Sequence, residues 1–117
     1  MGDRINFAFR DSDGSAVVLY SHWGATGWQH DIAAALEHAR PRWNDYPYGT
    51  RMMISYLIQD SILDETGYGI YSVSGDNFDL GEETIIIDFS HKTVSDGAVS
   101  VEWDKFVMAY FAGAPAT

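Results

Sequence analysis

Hydrophobic and polar positions alternate at the start of the chain, as in a half-buried strand. Large apolar residues stand at positions 5, 7 and 9, so the pattern predicts a strand over residues 5–9. A turn-forming run follows at 11–14, and residues 16–20 supply a second apolar stretch. The first 20 residues therefore predict a β-hairpin.

A helical spacing replaces this alternation after the hairpin. Thr26 and Gln29 have the spacing of a capping box, in which each side chain reaches the other's backbone amide. The apolar residues that follow recur at intervals of three and four, at Ile32, Ala35, Leu36 and Ala39. Because proline disfavours helical backbone in the residue before it, Pro41 predicts that this first helix ends near Arg40.

A second helix is predicted between Asp45 and Gly67. Asp45 is a suitable N-cap, and Pro47 is tolerated in the first helical turn. Glycine readily adopts the left-handed conformation that is common after a helix, so Gly67 marks the expected end. The apolar face of this helix is expected at Met53, Ile54, Leu57, Ile58 and Ile62.

Two further strands and a last segment complete the predicted elements. Residues 69–73 and 84–89 have strand character, and three consecutive isoleucines in the second indicate a central strand. After a turn at 96–97, Ser100 is a candidate N-cap for a short amphipathic helix that reaches Tyr110. A strand is the alternative for the start of this last segment.

The predicted order is β-β-α-α-β-β-α in a single domain that spans residues 1–117, with a flexible tail at 113–117. Strands that are adjacent in sequence and joined by short turns favour antiparallel pairing. We therefore expect an α+β fold, in which a small antiparallel sheet of about four strands carries two or three helices on one face.

Composition and charge narrow the function classes. The chain has 17 acidic and 7 basic residues and a net charge of -10, which argues against direct binding to nucleic acid or to an anionic membrane. It has no cysteine, so thiol chemistry and thiolate metal sites are excluded. The sequence contains neither a membrane-spanning run nor the apolar stretch of a signal peptide, so the expected location is the cytoplasm.

The acidic residues are concentrated in the second half of the chain. Residues 60–117 contain eleven acids and two bases, whereas residues 1–59 contain six acids and five bases. Arg40, Arg42 and Arg51 lie close together in the first half, and guanidinium groups match phosphate and carboxylate geometry, so they predict an anion-binding pocket. The alternative is ion pairing with neighbouring acids, such as Glu37, Asp45 and Asp60.

Three stretches are candidates for ligand binding. The first follows the second predicted strand, and the second lies between the two predicted helices. In the first, His22 and Trp23 follow a strand and precede a helix, where free amides favour an anion and an indole stacks on a planar ring. Gly24 is expected to let the backbone approach a ligand closely. In the second, at 40–48, two arginines and three aromatic residues occur close together, as in nucleotide-binding and protein-binding surfaces.

The third candidate stretch, at 65–69, connects the second helix to the third strand. Thr66 and Tyr68 offer hydroxyl groups to a ligand, and the glycines beside Tyr68 make the connection permissive. For all three stretches the alternative is a structural role, as core aromatics or as a helix C-cap.

No catalytic residue is assigned from the sequence. Ser21 and His22 are adjacent, so in a strand their side chains point to opposite faces rather than to each other. His22 is the best candidate general base if the protein is an enzyme. His30 and His38 stand about 12 Å apart along a helix, too far to share a metal ion, and neither a metal nor a cofactor is expected.

A set of motifs lies between residues 19 and 77, within a resemblance that covers roughly residues 5–94. It consists of Leu19–Gly24, Arg42 and Trp43 with Asp45 and Arg51, Glu65–Ile70, and Asp76 with Asn77. Together these motifs resemble a family of small uncharacterised proteins from bacteriophages and some bacteria and archaea. That family typically has two glycines after the tryptophan, where this chain has Gly24 and Ala25. The resemblance implies a viral setting, in which small acidic proteins without catalytic groups often counteract host defence.

These observations favour a non-enzymatic binding protein that sequesters a nucleotide-derived immune signal and forms a homo-oligomer. The expected ligand-binding residues are Ser21, His22, Trp23, Gly24, Arg42, Trp43, Arg51, Thr66 and Tyr68. The alternative is an acidic protein that inhibits a host defence complex by protein–protein binding, as anti-CRISPR or DNA-mimic proteins do. A small enzyme acting on a nucleotide is the third and least favoured class, and a halophilic host would explain the acidity without any partner.

Overall fold

Strands in the first and second halves of the chain join in one sheet. The structure is a computed structural model that describes residues 3–75 and 83–111, so the predicted tail lies outside the described residues. The strands of the described residues are β1 Ile5–Arg10, β2 Ala16–Ser21, β3 Tyr68–Val73, β4 Glu83–Asp88, β5 Thr93–Ser95 and β6 Ser100–Glu102. They form one six-stranded sheet in the order β3-β2-β1-β4-β5-β6.

Three helices pack on one face of this sheet, as predicted. They are α1 Trp28–His38, α2 Tyr46–Leu57 and α3 Trp103–Tyr110, with a single 3₁₀ turn, Arg40–Arg42, between α1 and α2. Phe7 and Ile85 stand side by side in the sheet and share one buried cluster with Ile32, Met53 and Phe106, one residue from each helix. The predicted α+β class is confirmed. Among the described residues, the structure contains no helix with the length and hydrophobicity of a membrane span.

The sheet differs from the prediction in strand number and in strand direction. β1 pairs antiparallel with β2 but parallel with β4, and β3 pairs with β2 rather than with its successor in the chain. The predicted antiparallel sheet of about four strands therefore differs from the observed sheet, which has six strands and one parallel pair, β1 with β4. Local patterns do not report pairing between strands that are far apart in sequence, and β5 and β6 are too short, at three residues each, to show a clear alternation.

The last segment contains both of the predicted alternatives in succession. Ser100 begins β6, so it is not the helix cap, and α3 starts at Trp103 with Glu102 at the N-cap. The β4 prediction is confirmed, since Ile85 and Ile87 are fully buried in a strand with neighbours on both sides. The predicted apolar positions of α1 are buried, and so are Trp103, Phe106 and Val107 of α3, whereas Tyr110 at the end of α3 is exposed.

The predicted capping box at the start of α1 is wrong. The N-cap of α1 is Gly27, whose φ of 76° is left-handed, and no side chain caps this helix. The Thr26 hydroxyl instead donates to Asp3 Oδ1 at 2.8 Å, which ties the helix entry to the chain before β1. A capping box requires a spacing of three residues, but that spacing does not determine which group the threonine hydroxyl binds.

The second helix begins as predicted and ends earlier than predicted. Asp45 caps α2 and accepts a hydrogen bond from the Tyr48 amide at 3.2 Å. The helix ends at Leu57 rather than near Gly67. Residues 59–66 are mostly exposed and polar, so no buried face stabilises further helical turns there. Gly67, with a φ of 106°, instead belongs to the turn that enters β3.

Candidate functional site

The predicted ligand-binding residues lie at two opposite ends of the sheet. Ser21 and Tyr68 pair at one end, whereas the Tyr46 hydroxyl donates to the Phe9 carbonyl near the other. Helix α2 runs between these ends, because it starts at Tyr46 and its last carbonyl, on Leu57, accepts a hydrogen bond from Tyr68. A twelve-residue helix is about 18 Å long, so the two groups do not converge on one pocket.

We call the first group the Trp23 end; it consists of residues 21–24 and 66–68. The His22 amide donates to the Gly67 carbonyl at 2.9 Å, and the Trp23 ring packs so closely on Gly67 that a Cβ atom there would collide with it. The His22 ring contacts the Tyr20 hydroxyl at 3.1 Å and the Trp23 ring at 5.4 Å between centroids. Trp23 is 57% exposed, so this end presents an open aromatic surface.

Several predicted residues at the Trp23 end serve the fold. Ser21 is only 1% exposed, and a Cβ on Gly24 would lie 2.6 Å from its Oγ, so these two residues pack against each other. The absence of a side chain at Gly24 is needed for this packing rather than for a ligand. Tyr68 is half-buried and its hydroxyl donates to the Leu57 carbonyl, while Thr66 is exposed.

Arg42 and Arg51 have partners close to them in the sequence, and neither lines the two cavities described below. The Arg42 guanidinium pairs with Asp45 at 3.5 Å and lies 4.9 Å from the centre of the Tyr48 ring. Arg51 is exposed on α2, where it donates to Ser55 Oγ at 3.4 Å. Local ion pairing, the alternative left open by the sequence, therefore describes Arg42.

Trp43 is held by several independent contacts, and we call its surroundings the Trp43 end, comprising residues 40–46 and 88–92. Its indole Nε1 donates to the Leu36 carbonyl at 2.9 Å, and the Arg40 guanidinium lies 4.3 Å from its ring centroid. Arg40 also pairs with Glu37 at 2.9 Å and with Asp104 at 3.0 Å. The hydrogen bond to Asp104, and to a smaller extent the one to Glu37, raises the pKa of Arg40 above its ordinary value.

A chain of aromatic rings extends from Trp43 into the core. Trp43 packs edge-on against Trp103 at 5.2 Å, Trp103 against Phe89 at 4.9 Å, and Phe89 against Tyr46 at 5.2 Å, all between ring centroids. Edge-to-face packing at these distances is favourable beyond the apolar area that it buries. The Trp43 ring is therefore a fixed wall.

Two adjoining cavities of about 340 and 150 Å³ open beside this wall, and we call them together the Trp43 cleft. Both are lined by Trp43, Asn44 and Lys92. The larger one is also lined by Arg40, His91, Glu102, Trp103 and Asp104, and the smaller one by Asp11, Ser12, Tyr46, Phe89 and Ser90. Their combined size is at the lower end of the range for small-molecule sites.

The loop between β4 and β5 is organised around the Asp88 carboxylate. Asp88 Oδ1 accepts hydrogen bonds from the Ser90 amide and hydroxyl at 2.9 Å and from the His91 amide at 3.0 Å, and Oδ2 lies 3.1 Å from His91 Nδ1. Burial alone would raise the pKa of Asp88, but these hydrogen bonds outweigh it and lower the pKa. The carboxylate thus fixes His91 at the rim of the cleft.

Asp88, Ser90 and His91 do not form a catalytic triad. In a triad the serine and the carboxylate use different nitrogens of the histidine ring. Here Ser90 Oγ, at 3.2 Å, and Asp88 Oδ2 both approach His91 Nδ1, so the serine has no separate base. The arrangement stabilises a turn.

Lys92 adds a positive charge to the wall of the cleft. Its backbone φ of 57° is left-handed, and its ammonium donates to the Phe89 carbonyl at 2.6 Å and lies 5.6 Å from the Trp103 ring centroid. Asn44, His91 and Lys92 were missed from the sequence, because the β4–β5 loop reaches the 40–46 segment only through the tertiary fold. The Asp-x-Ser spacing at 88–90 was an available signal for the turn.

Comparisons of the chain with protein-family models, with curated proteins and with solved structures give no match. Within residues 3–75 and 83–111, no group of three or more histidine or acidic side chains is arranged to hold a metal ion. The fold and the site define a small α+β protein with an aromatic cleft of mixed charge.

Proposed function

We propose that this protein binds a small nucleotide-like anion in the Trp43 cleft without catalysing a reaction, and that it acts as a phage counter-defence factor by sequestering that molecule. The observation that carries the proposal is the fixed Trp43 ring in a cavity that His91 and Lys92 also line. An aromatic ring stacks on a planar base, and cationic groups bind a phosphate or carboxylate.

The cations of the cleft are not equally available to a ligand. Arg40 is engaged by two carboxylates, whereas the Lys92 ammonium has three donors and directs one of them at the Phe89 carbonyl. The side chain of His91 is 78% exposed at the rim. Lys92 and His91 are therefore the groups that would contact the anionic part of a ligand.

The carboxylates of the cleft restrict the ligand further. Glu102 and Asp104 also line the larger cavity, and Asp104 is paired with Arg40. Several closely spaced phosphates would meet these acids and be repelled, whereas hydroxyl or amino groups would donate hydrogen bonds to them. The proposed ligand therefore has one anionic group and a neutral, hydrogen-bonding ring portion.

Isothermal titration against a panel of cyclic nucleotides and cyclic ADP-ribose isomers tests this proposal. We expect heat of binding from at least one compound, and we expect Lys92→Asn to weaken it by at least about tenfold, since a charge-assisted contact contributes more than about 1.4 kcal/mol. Asparagine tolerates the left-handed backbone at this position. Arg51→Ala, which removes a cation outside the cleft, is the matched control and should bind normally.

An absence of heat for the whole panel would contradict the proposal. Equal losses in Lys92→Asn and Arg51→Ala would place binding outside the cleft. A catalytic role has less support, because the contacts of the candidate base His22 are Tyr20 and Trp23 rather than a carboxylate or a nucleophile.

The second candidate function, inhibition of a host defence complex by an acidic surface, is favoured by one group of exposed acids. Asp60, Asp64 and Glu65 precede β3, and Glu83 begins β4 at the same end of the sheet. Other acids follow β4 toward the opposite end, so the described acids do not form one face. Asp76, Asp79 and Glu82 lie outside the described residues.

Charge reversal tests this second candidate. Asp60→Lys combined with Asp64→Lys and Glu65→Lys should abolish binding to a basic partner, whereas Glu102→Lys, at the other end, should leave it unchanged. Pull-down of a defence complex by all variants alike would exclude the surface.

A further inference from the structure

The two edges of the sheet are unequal. β6 has three residues, and the charged residues Asp96 and Glu102 lie beside it or within it. β3 has six residues without a charged side chain, and the uncharged run extends over residues 66–75. Short or charged edge strands prevent the addition of another strand, whereas long uncharged ones permit it. Within the described residues, β3 is the edge without such protection.

Exposed apolar side chains lie in this edge strand and in the loop that precedes it. Ile70 is 59% exposed and Tyr71 is 40% exposed in β3, and Ile62 and Leu63 are exposed in the loop that precedes it. Ile70 and Tyr71 are neighbours in the strand, so their side chains point to opposite faces of the sheet, and each face has an exposed apolar side chain in this edge strand. An added strand would therefore find apolar cross-strand partners on both faces.

We propose that two copies of this chain associate through antiparallel pairing of their β3 strands. A chain with a net charge of -10 repels its own copy wherever acids face each other, so self-association requires an uncharged contact. The run 66–75 supplies one, and Asp64 and Glu65 at its start limit pairing to the strand itself. The occupant that fits an uncharged, self-complementary edge is therefore a second copy.

Symmetry makes this association stop at two copies. A two-fold axis perpendicular to the sheet pairs β3 with β3 and keeps the helices of both copies on the same face. Each copy has one such edge, because the opposite edge is the short strand β6. The result is one continuous sheet across a closed dimer, and this inference does not depend on the ligand proposed for the Trp43 cleft.

Light scattering coupled to size-exclusion chromatography tests the dimer with the full chain at about 1 to 100 µM, the range of a moderate affinity. We expect the wild type to have twice the 13.1 kDa chain mass at the upper concentrations. Ile70→Lys should raise the dimer dissociation constant at least about tenfold, because it places two charges at the new strand pair. Met108→Lys on α3 is the matched control, since Met108 is 58% exposed, and it should dimerise normally.

Hydrogen exchange supplies a readout that needs no variant. The amides of residues 68–73 should exchange more slowly as the wild-type concentration rises, whereas those of β6 should not change. A monomeric wild type at about 100 µM, or exchange in β3 that is independent of concentration, would overturn the proposal. A dimer that persists in both Ile70→Lys and Tyr71→Lys would place the interface elsewhere, and a basic peptide that binds a monomer at β3 would show that another protein is the occupant.

Discussion

The Trp23 end and the Trp43 end use the same residue types and produce different surfaces. Each end has a tryptophan in contact with a second ring, which is His22 for Trp23 and Trp103 for Trp43. Trp23 rests on Gly67 and is mostly exposed, whereas Trp43 is held by a hydrogen bond to Leu36, by the Arg40 guanidinium and by the Trp103 ring. The number of independent restraints, rather than the presence of an aromatic residue, distinguishes a preorganised wall from an open surface.

The two ends also differ in charge. The Trp43 end has Arg40, Arg42 and Lys92 together with Asp45 and Asp88. Toward the Trp23 end, Asp3, Asp64, Glu65 and Glu83 accompany Arg4 among the described residues. The Trp43 end is therefore the less acidic of the two. A motif search that weighs aromatic residues alone would treat both as equivalent.

Replacement of each tryptophan by alanine should show the largest difference between the ends. Trp43→Ala loses packing against Trp103 and leaves the Leu36 carbonyl without its donor, so we expect a loss of about 2–4 kcal/mol in the free energy of unfolding. Trp23→Ala should cost less than about 1 kcal/mol, because its ring is already mostly in water. Urea denaturation of both variants measures the difference, and equal losses would contradict it.

A smaller difference is expected between the two helix starts. Asp45→Ala removes the N-cap of α2 at the Trp43 end and should destabilise the protein by about 1 kcal/mol. Thr26→Ala, before α1, removes only an exposed hydrogen bond to Asp3 and should cost less than about 0.5 kcal/mol. Thermal unfolding of the pair measures this, and a larger cost for Thr26→Ala would show that it acts as a cap after all.

The smallest expected effect is a pH dependence from Asp88. Its pKa is lowered in the folded state, so its ionised form stabilises the fold above the ordinary carboxyl pKa of about 3.9, and this stability is lost as the pH falls through the folded value. The stability advantage of the wild type over Asp88→Asn should be largest near neutral pH and should shrink below about pH 4.

Urea denaturation between about pH 3 and 7 measures this dependence across the titration of a carboxyl group. Asp60→Asn replaces an exposed acid in the α2–β3 loop and is the matched control. A constant difference between wild type and Asp88→Asn would show that the Asp88 hydrogen bonds do not hold its proton affinity down.

Local signals account for the parts of the fold that could be predicted. The hairpin turn, the buried face of α1, the Asp45 cap and the central position of β4 each follow from residues within one element. The parallel pairing of β1 with β4 and the end of α2 at Leu57 depend on partners elsewhere in the fold. Thr26 shows the same limit, because its partner Asp3 lies 23 residues away.

The candidate site was predictable in part. Trp43 was predicted as a ligand contact and lines the cleft, as does Arg40 of the predicted 40–48 stretch, whereas the predicted Arg42 and Arg51 do not line it. Lys92 and His91 were missed because only the tertiary fold brings them there. Ser21 was predicted as a ligand contact, yet its register opposite Ile5 places it on the helix-covered face. That orientation follows from the hairpin register once β1 and β2 are aligned.

The parallel pairing of β1 with β4 has a consequence for how the chain folds. Every residue pair in that register is 78 positions apart, from Ile5 with Glu83 to Arg10 with Asp88. Closing so long a loop has a high entropy cost and slows folding relative to a hairpin. During synthesis β1 and β2 leave the ribosome well before β4 is made. The apolar centre of the sheet is therefore completed only after most of the chain has been synthesised.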